Sequence, residues 1–159
     1  MNAKIVLGTI GAVVGAVIGA IAWAAITAAT SFQIGYMAVG VGFLAGFGMR
    51  FFSGGLVRTE GIIAGAVALA GCALGNVLTG VVVIAQHQEH YSTWAVALVV
   101  LTHPQFAAGI LRDGFNPMDL LFYAIAIYAG YRTALRPHVA AATAAAPADE
   151  PAAAGEDRA

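Results

Sequence analysis

Residues 5–29 read IVLGTIGAVVGAVIGAIAWAAITAA and contain no charged side chain. At a rise of about 1.5 Å per residue, this stretch exceeds the roughly 20 residues that an α-helix needs to cross a hydrocarbon core of about 30 Å. It is also longer than the apolar part of a cleaved secretory signal, which covers roughly 7–15 residues. We therefore interpret it as an uncleaved first membrane span, although Ala22-Trp23-Ala24 resembles a cleavage site.

The overall composition also indicates a membrane protein. Of the 159 residues, 60% are hydrophobic and 9% are charged, whereas soluble domains carry about 25% charged residues. A soluble fold of this size has too much surface for its volume to bury so many apolar side chains. The net charge of −1 does not favour nucleic-acid binding, because that function needs a basic face to meet the phosphates.

The hydropathy pattern predicts an all-α helical bundle with four spans, at about residues 5–30, 32–52, 61–86 and 117–135. Residues 87–116 are more polar, and the apolar run within them, Trp94 to Leu101, is too short to cross a bilayer. Pro104 ends that run, because proline disfavours helix in the preceding residue. We expect an interfacial or re-entrant segment here, with a fifth span as the less favoured alternative.

The last predicted span has the clearest helix start in the chain. Asn116 can cap the helix, Pro117 suits its first position, and Asp119 lies in the first turn, where the helix dipole favours a carboxylate. We interpret Asp119 as a capping residue rather than as a proton carrier. Residues 137–159 are rich in alanine and proline and end in an acidic stretch, so we expect a disordered tail.

The basic residues predict the orientation of the bundle. Under the four-span prediction Arg112 lies on one side, and the other side holds Lys4, Arg50, Arg58, Arg132 and Arg136. Cytoplasmic loops are enriched in lysine and arginine. Both termini are therefore predicted to be cytoplasmic, and the segment 87–116 to be extracytoplasmic.

Small residues recur along the first three predicted spans at helical spacing. The glycines expected to pack helices together are Gly11, Gly15 and Gly19 in the first span, Gly35, Gly42 and Gly46 in the second, and Gly61, Gly65 and Gly75 in the third. Such faces let helix backbones approach closely in lipid. The spacing predicts helix contacts, and it leaves open whether these lie within one chain or between chains.

Few residues suggest chemistry. Asn76 is strongly polar and lies deep in a span, so it either lines a path or forms a hydrogen bond to a neighbouring helix, and we favour the hydrogen bond. His87 and His90 share a face if the helix continues, but no third ligand is evident, so they are weak metal candidates and we predict no metal and no cofactor. Cys72 is expected to be a buried packing residue. No catalytic arrangement is present, and we predict no enzymatic activity.

Two segments are similar to a known group. Gly35 to Arg50 with Gly71 to Asn76, and Asp119 to Tyr123 with Gly130 to Arg132, resemble a group of bacterial four-helix integral membrane proteins that has no known activity. The resemblance covers the second to fourth spans. It implies a bacterial inner-membrane location and a similar four-helix core.

Three glycine-lined helices with almost no polar lining suggest a non-enzymatic scaffold or a subunit of a membrane complex. We expect the lipid bilayer around it and either further copies of itself or another membrane protein as its partner. The alternative is a small pore or transporter formed by self-association. In that case Asn76, Thr79 and the histidines would lie along the path.

Overall fold

The structure is a computed structural model, and it describes residues 3–30, 32, 35–54, 57–87 and 92–135. These residues form six α-helices and no strand, which confirms the all-α class. The helices are α1 (Ala3–Thr30), α2 (Met37–Ser53), α3 (Arg58–His87), α4 (Thr93–Thr102), α5 (Pro104–Asp113) and α6 (Pro117–Ala134). The predicted tail at 137–159, His90 and Arg136 lie outside the described residues.

The ends of α2 and α6 follow from local chemistry. At the end of α2, Gly54 has a φ of 95° and its N–H donates to the Arg50 carbonyl at 3.0 Å. This left-handed conformation is favourable only for glycine. At the start of α6, the Asn116 N–H donates to Asp119 at 2.9 Å and the Met118 N–H donates to the Asn116 side chain at 3.1 Å. These bonds confirm the predicted capping role of Asp119.

The four longest helices run alternately up and down. Gly8 lies against Ser53 and Gly19 against Val41, so α1 and α2 are antiparallel. Gly71 lies against Ala16 and Gln86 donates to the Ala28 carbonyl, so α1 and α3 are parallel. Contacts from Gly61 to Tyr131 and from Asn76 to Tyr123 make α6 antiparallel to α3. Within the described residues α2 and α3 each contact all three other long helices, whereas α1 and α6 do not meet.

This arrangement gives the bundle two chemically different ends. The helix ends that bear Lys4, Arg50, Arg58 and Arg132 lie together, and we call this the basic end. At the opposite end lie the last turns of α1 and α3, the first turns of α2 and α6, and the two short helices α4 and α5.

By length and apolar composition, two described helices can each cross a membrane, namely α1 and α3. The pair Thr93–Val100 and Pro104–Asp113, bent by 106°, would be a third if it formed one broken span. This number is smaller than the four predicted from hydropathy. In the structure the second helix is shorter than the predicted span at 32–52, because residues 35–36 form a turn and α2 has 17 residues. The 18 residues of α6 include Asp119 and Arg132, which lower its hydropathy.

The core consists mainly of alanine. Trp23 and Met49 are its largest fully buried side chains, at 1% and 0% exposure. Cys72 is buried among these residues as predicted, and its thiol donates to the Ala38 carbonyl at 3.6 Å. Because the interior side chains are small, the helix backbones approach one another closely.

Candidate functional site

The predicted glycines of α1 lie against α2. A Cβ atom added to Gly15 would lie 2.8 Å from the Leu44 carbonyl carbon. The same addition at Gly19 would lie 3.0 Å from the Cα of Val41. Gly11 faces the Gly48 carbonyl oxygen, 2.5 Å from the added atom. None of these positions has room for a side chain, so this face of α1 is occupied within the chain.

The glycines of α2 lie against α6. An added Cβ at Gly42 would lie 2.8 Å from the carbonyl carbon of Ala126. At Gly46 the same distance, 2.8 Å, would separate it from the Cβ of Thr133. Gly35, in the turn before α2, faces the ring of Phe122.

The glycines of α3 are divided between two neighbours. Gly61 faces the Tyr131 ring and Gly65 faces Ile127 of α6, whereas Gly75 lies against the Trp23 ring of α1. All nine predicted packing glycines therefore have neighbours inside the chain.

Asn76 joins α3 to α6. Its side chain is 6% exposed, and its amide donates a hydrogen bond to the Tyr123 hydroxyl. Thr79, one turn further along α3, is fully buried. Both side chains lie inside a single bundle, so this placement does not favour a path formed between copies of the chain.

A cavity of about 500 Å³ opens beside Asn76, between α3 and α5. Its size falls within the roughly 300–1,000 Å³ of small-molecule sites. Asn76, Gln105 and Asp113 supply polar side chains to its wall, and the apolar part consists of Val83, Ile84, Phe106 and Ile110. The glycines at 80, 109 and 114 complete the lining.

One wall of this cavity is α3 and the other is α5, and the break between α4 and α5 determines where α5 lies. His103 is extended, with φ −130° and ψ 90°, and Pro104 begins α5. The two helices meet at 106°, and α5 contacts α3. There Ile110 fits against Gly80, because a larger residue at 80 would collide with it. The sequence predicted that the apolar run ends at Pro104, and the bend at this residue places α5 so that it forms one wall of the cavity.

Three buried polar atoms on α1 and α3 have no hydrogen-bond partner among the residues that the structure describes. They are Trp23 Nε1, Thr27 Oγ1 and Thr79 Oγ1, on residues exposed by 1%, 2% and 0%. Trp23 packs on Gly75, the residue before Asn76. The interior of the bundle at these residues is therefore more polar than its alanine packing suggests.

The histidines do not form a described metal site. His87 is exposed, and its Nδ1 donates to the Val83 carbonyl at 2.8 Å. His90 lies outside the described residues. Across the part of the chain that the structure describes, no three side chains of histidine, cysteine, aspartate or glutamate are grouped to hold a metal ion.

Sequence reasoning overlooked a row of phenylalanines on α2. Phe43, Phe47 and Phe51 are exposed by 51%, 45% and 61%. Their ring centroids are 6.4 and 6.3 Å apart, and the rings are stacked in succession. We call these three residues the phenylalanine row. Their four-residue spacing could have identified it, because residues at i and i+4 are neighbours on a helix.

The cavity lining was also overlooked. Gln105, Phe106 and Asp113 belong to a segment predicted only to be interfacial or re-entrant, and hydropathy carries no information about which helix it meets.

Comparisons with protein-family models, with curated proteins and with solved structures returned no match.

Proposed function

We propose that the chain is an integral membrane protein in which α1, α2, α3 and α6 all cross the bilayer, with the basic end in the cytoplasm. The 17 residues of α2 and the 18 of α6 extend about 26 and 27 Å. These lengths approach a hydrocarbon core of about 30 Å. Both helices are packed along α3, which is long and apolar enough to span by itself. The resemblance noted above favours a bacterial inner membrane.

Within that membrane we assign the chain the role of a non-enzymatic subunit of a larger complex. The observation that carries this proposal is the phenylalanine row. The glycine faces already meet other helices of the chain, whereas Phe43, Phe47 and Phe51 point outward as a stacked series. Aromatic side chains contribute large contact areas and are stiff, so little conformational freedom is lost when a partner helix packs on them.

Gly40 adds a notch beside this row. It lies one turn before Phe43, and a Cβ added there would meet no atom within 4 Å. In lipid, helices associate through close packing rather than through hydrophobic drive. An open glycine next to protruding rings offers a partner helix both a recess and a ridge.

The test compares two triple variants that remove large exposed side chains at the same spacing. One is Phe43→Ala, Phe47→Ala and Phe51→Ala. The matched control changes Ile10, Val14 and Ile18 of α1, exposed by 55%, 52% and 55%, to alanine. The protein is extracted from its own membrane in a mild detergent, its native mass is measured, and bound proteins are identified by mass spectrometry.

We expect a defined second protein with the unchanged chain and with the α1 control, and its loss with the phenylalanine variant. A monomer without a bound protein in all three samples would overturn the subunit proposal. The membrane location is tested separately by alkaline extraction, in which the protein should remain with the membrane pellet. Release into the supernatant would overturn that part.

A further inference from the structure

The described wall of the cavity beside Asn76 contains apolar side chains, polar side chains and one negatively charged side chain. Among its described lining residues Asp113 alone is charged, and Arg112 beside it does not line the cavity. Gln105 and Asn76 add amide groups whose oxygens accept hydrogen bonds. The Phe106 ring lies on the same wall, and aromatic faces attract cations.

Polar groups continue from the mouth of the cavity to its floor. Gln105 and Asp113 are exposed, whereas Asn76 is 6% exposed and bonded to Tyr123. In hydrocarbon, amide and carboxylate groups are costly, so the polar side chains of Asn76, Gln105 and Asp113 along this wall favour a cavity that holds water.

From this arrangement we propose that the cavity is water-filled and binds a small organic cation with an ammonium group. The Asp113 carboxylate supplies the opposite charge at the mouth, the Gln105 amide oxygen accepts an N–H bond, and the Phe106 ring covers the apolar part of the ligand. The volume of about 500 Å³ suits a small molecule. The inference depends on the membrane location proposed above, and it does not depend on the partner of the phenylalanine row.

Accessibility of engineered cysteines tests the water-filled state. In a Cys72→Ala background, Val83→Cys places a thiol on the cavity wall, and Ile26→Cys places one on α1 outside it. The two positions are 36% and 38% exposed, and both lie within a turn of the contact between Gln86 and Ala28. They therefore match in exposure and in depth, and they differ in whether they face the cavity.

The variants are reconstituted in phosphatidylcholine vesicles with a cationic ethylammonium methanethiosulfonate reagent on both faces, so the result does not depend on orientation. Because the reactive thiolate forms in water, we expect labelling at Val83→Cys to be at least about tenfold faster than at Ile26→Cys. Adding Gly109→Leu, which fills open space on the cavity wall, should slow the labelling of Val83→Cys. Gly40→Leu, equally unobstructed but outside the cavity, should leave the rate unchanged.

The charge preference tests the ligand class. The cationic reagent should label Val83→Cys faster than the anionic ethylsulfonate reagent, and Asp113→Asn should reduce this ratio by about fourfold. Arg112→Gln, a neighbouring change outside the lining, should not reduce it. Ethylammonium chloride should protect the thiol, and sodium propionate should not.

Two results would overturn the proposal. The first is equal labelling of the two cysteines, which would show that lipid fills the cavity. The second is rapid labelling of Val83→Cys that neither Asp113→Asn nor ethylammonium alters, which would show a wet cavity without a cation site. If the protein does not remain in membranes after alkaline extraction, the membrane location itself fails, and this outcome is separable from both.

Discussion

Gly15 and Gly40 both lie inside helices, but their surroundings differ. A Cβ on Gly15 would collide with the backbone of Leu44, whereas a Cβ on Gly40 would meet nothing within 4 Å. Sequence spacing identified Gly15 as a packing residue and did not include Gly40. At this scale the effect of a side chain added to a glycine depends on whether another backbone lies within reach of its Cα.

Gly15→Ala should therefore destabilise the bundle by about 1–3 kcal/mol, because the added methyl forces α1 and α2 apart. Gly40→Ala should be neutral or stabilising by about 0.5–1 kcal/mol, since alanine favours helix over glycine. Unfolding in mixed micelles by titration with sodium dodecyl sulfate, followed by circular dichroism, measures both. Equal destabilisation by the two changes would show that this α1 and α2 contact does not exist in the folded protein.

At the scale of the element, the sequence predicted helix ends better than helix neighbours. The capping residues of α6 and the stop at Pro104 were both visible, because caps and prolines act on the backbone next to them. The start of α2 at Met37 was missed, since Phe32 and Ile34 made the predicted apolar run begin five residues earlier. The placement of α5 across Gly80 was also missed, because it depends on a contact about thirty residues distant along the chain.

The capping box of α6 gives a test at this scale. Asn116→Ala removes the side chain that accepts the Met118 N–H, and should cost about 1 kcal/mol in the same micelle titration. Ser92→Ala removes the comparable cap of α4, where Ser92 accepts the Ala95 N–H at 3.3 Å. We expect that control to change global stability less, because α4 contacts only α3 and α5 among the described helices. A larger loss with Ser92→Ala would contradict the secondary role that the contacts give to α4.

At the scale of the whole molecule, the alternating helix directions bring four basic side chains to one end and the cavity to the other. The sequence predicted this asymmetry from charge counts alone, because basic residues near spans remain in the cytoplasm. It predicted four full spans where length and composition allow two or three. Hydropathy counts apolar residues along the sequence, and it does not detect the turn at residues 35–36 that leaves α2 with 17 residues.

The four-span orientation is tested with fusions truncated after Gly54, Gly114 and Leu135, each carrying either green fluorescent protein or alkaline phosphatase. Fluorescence requires a cytoplasmic reporter and phosphatase activity an exported one. We expect fluorescence after Gly54 and Leu135 and phosphatase activity after Gly114, because each helix reverses the side. Phosphatase activity after Gly54 would mean that α2 does not cross, and the same activity after Leu135 would mean that α6 does not. Replacing Arg50 and Arg58 with glutamine should weaken the proposed orientation, whereas Arg112→Gln should strengthen it, because only the first change removes positive charge from the end that we propose to be cytoplasmic.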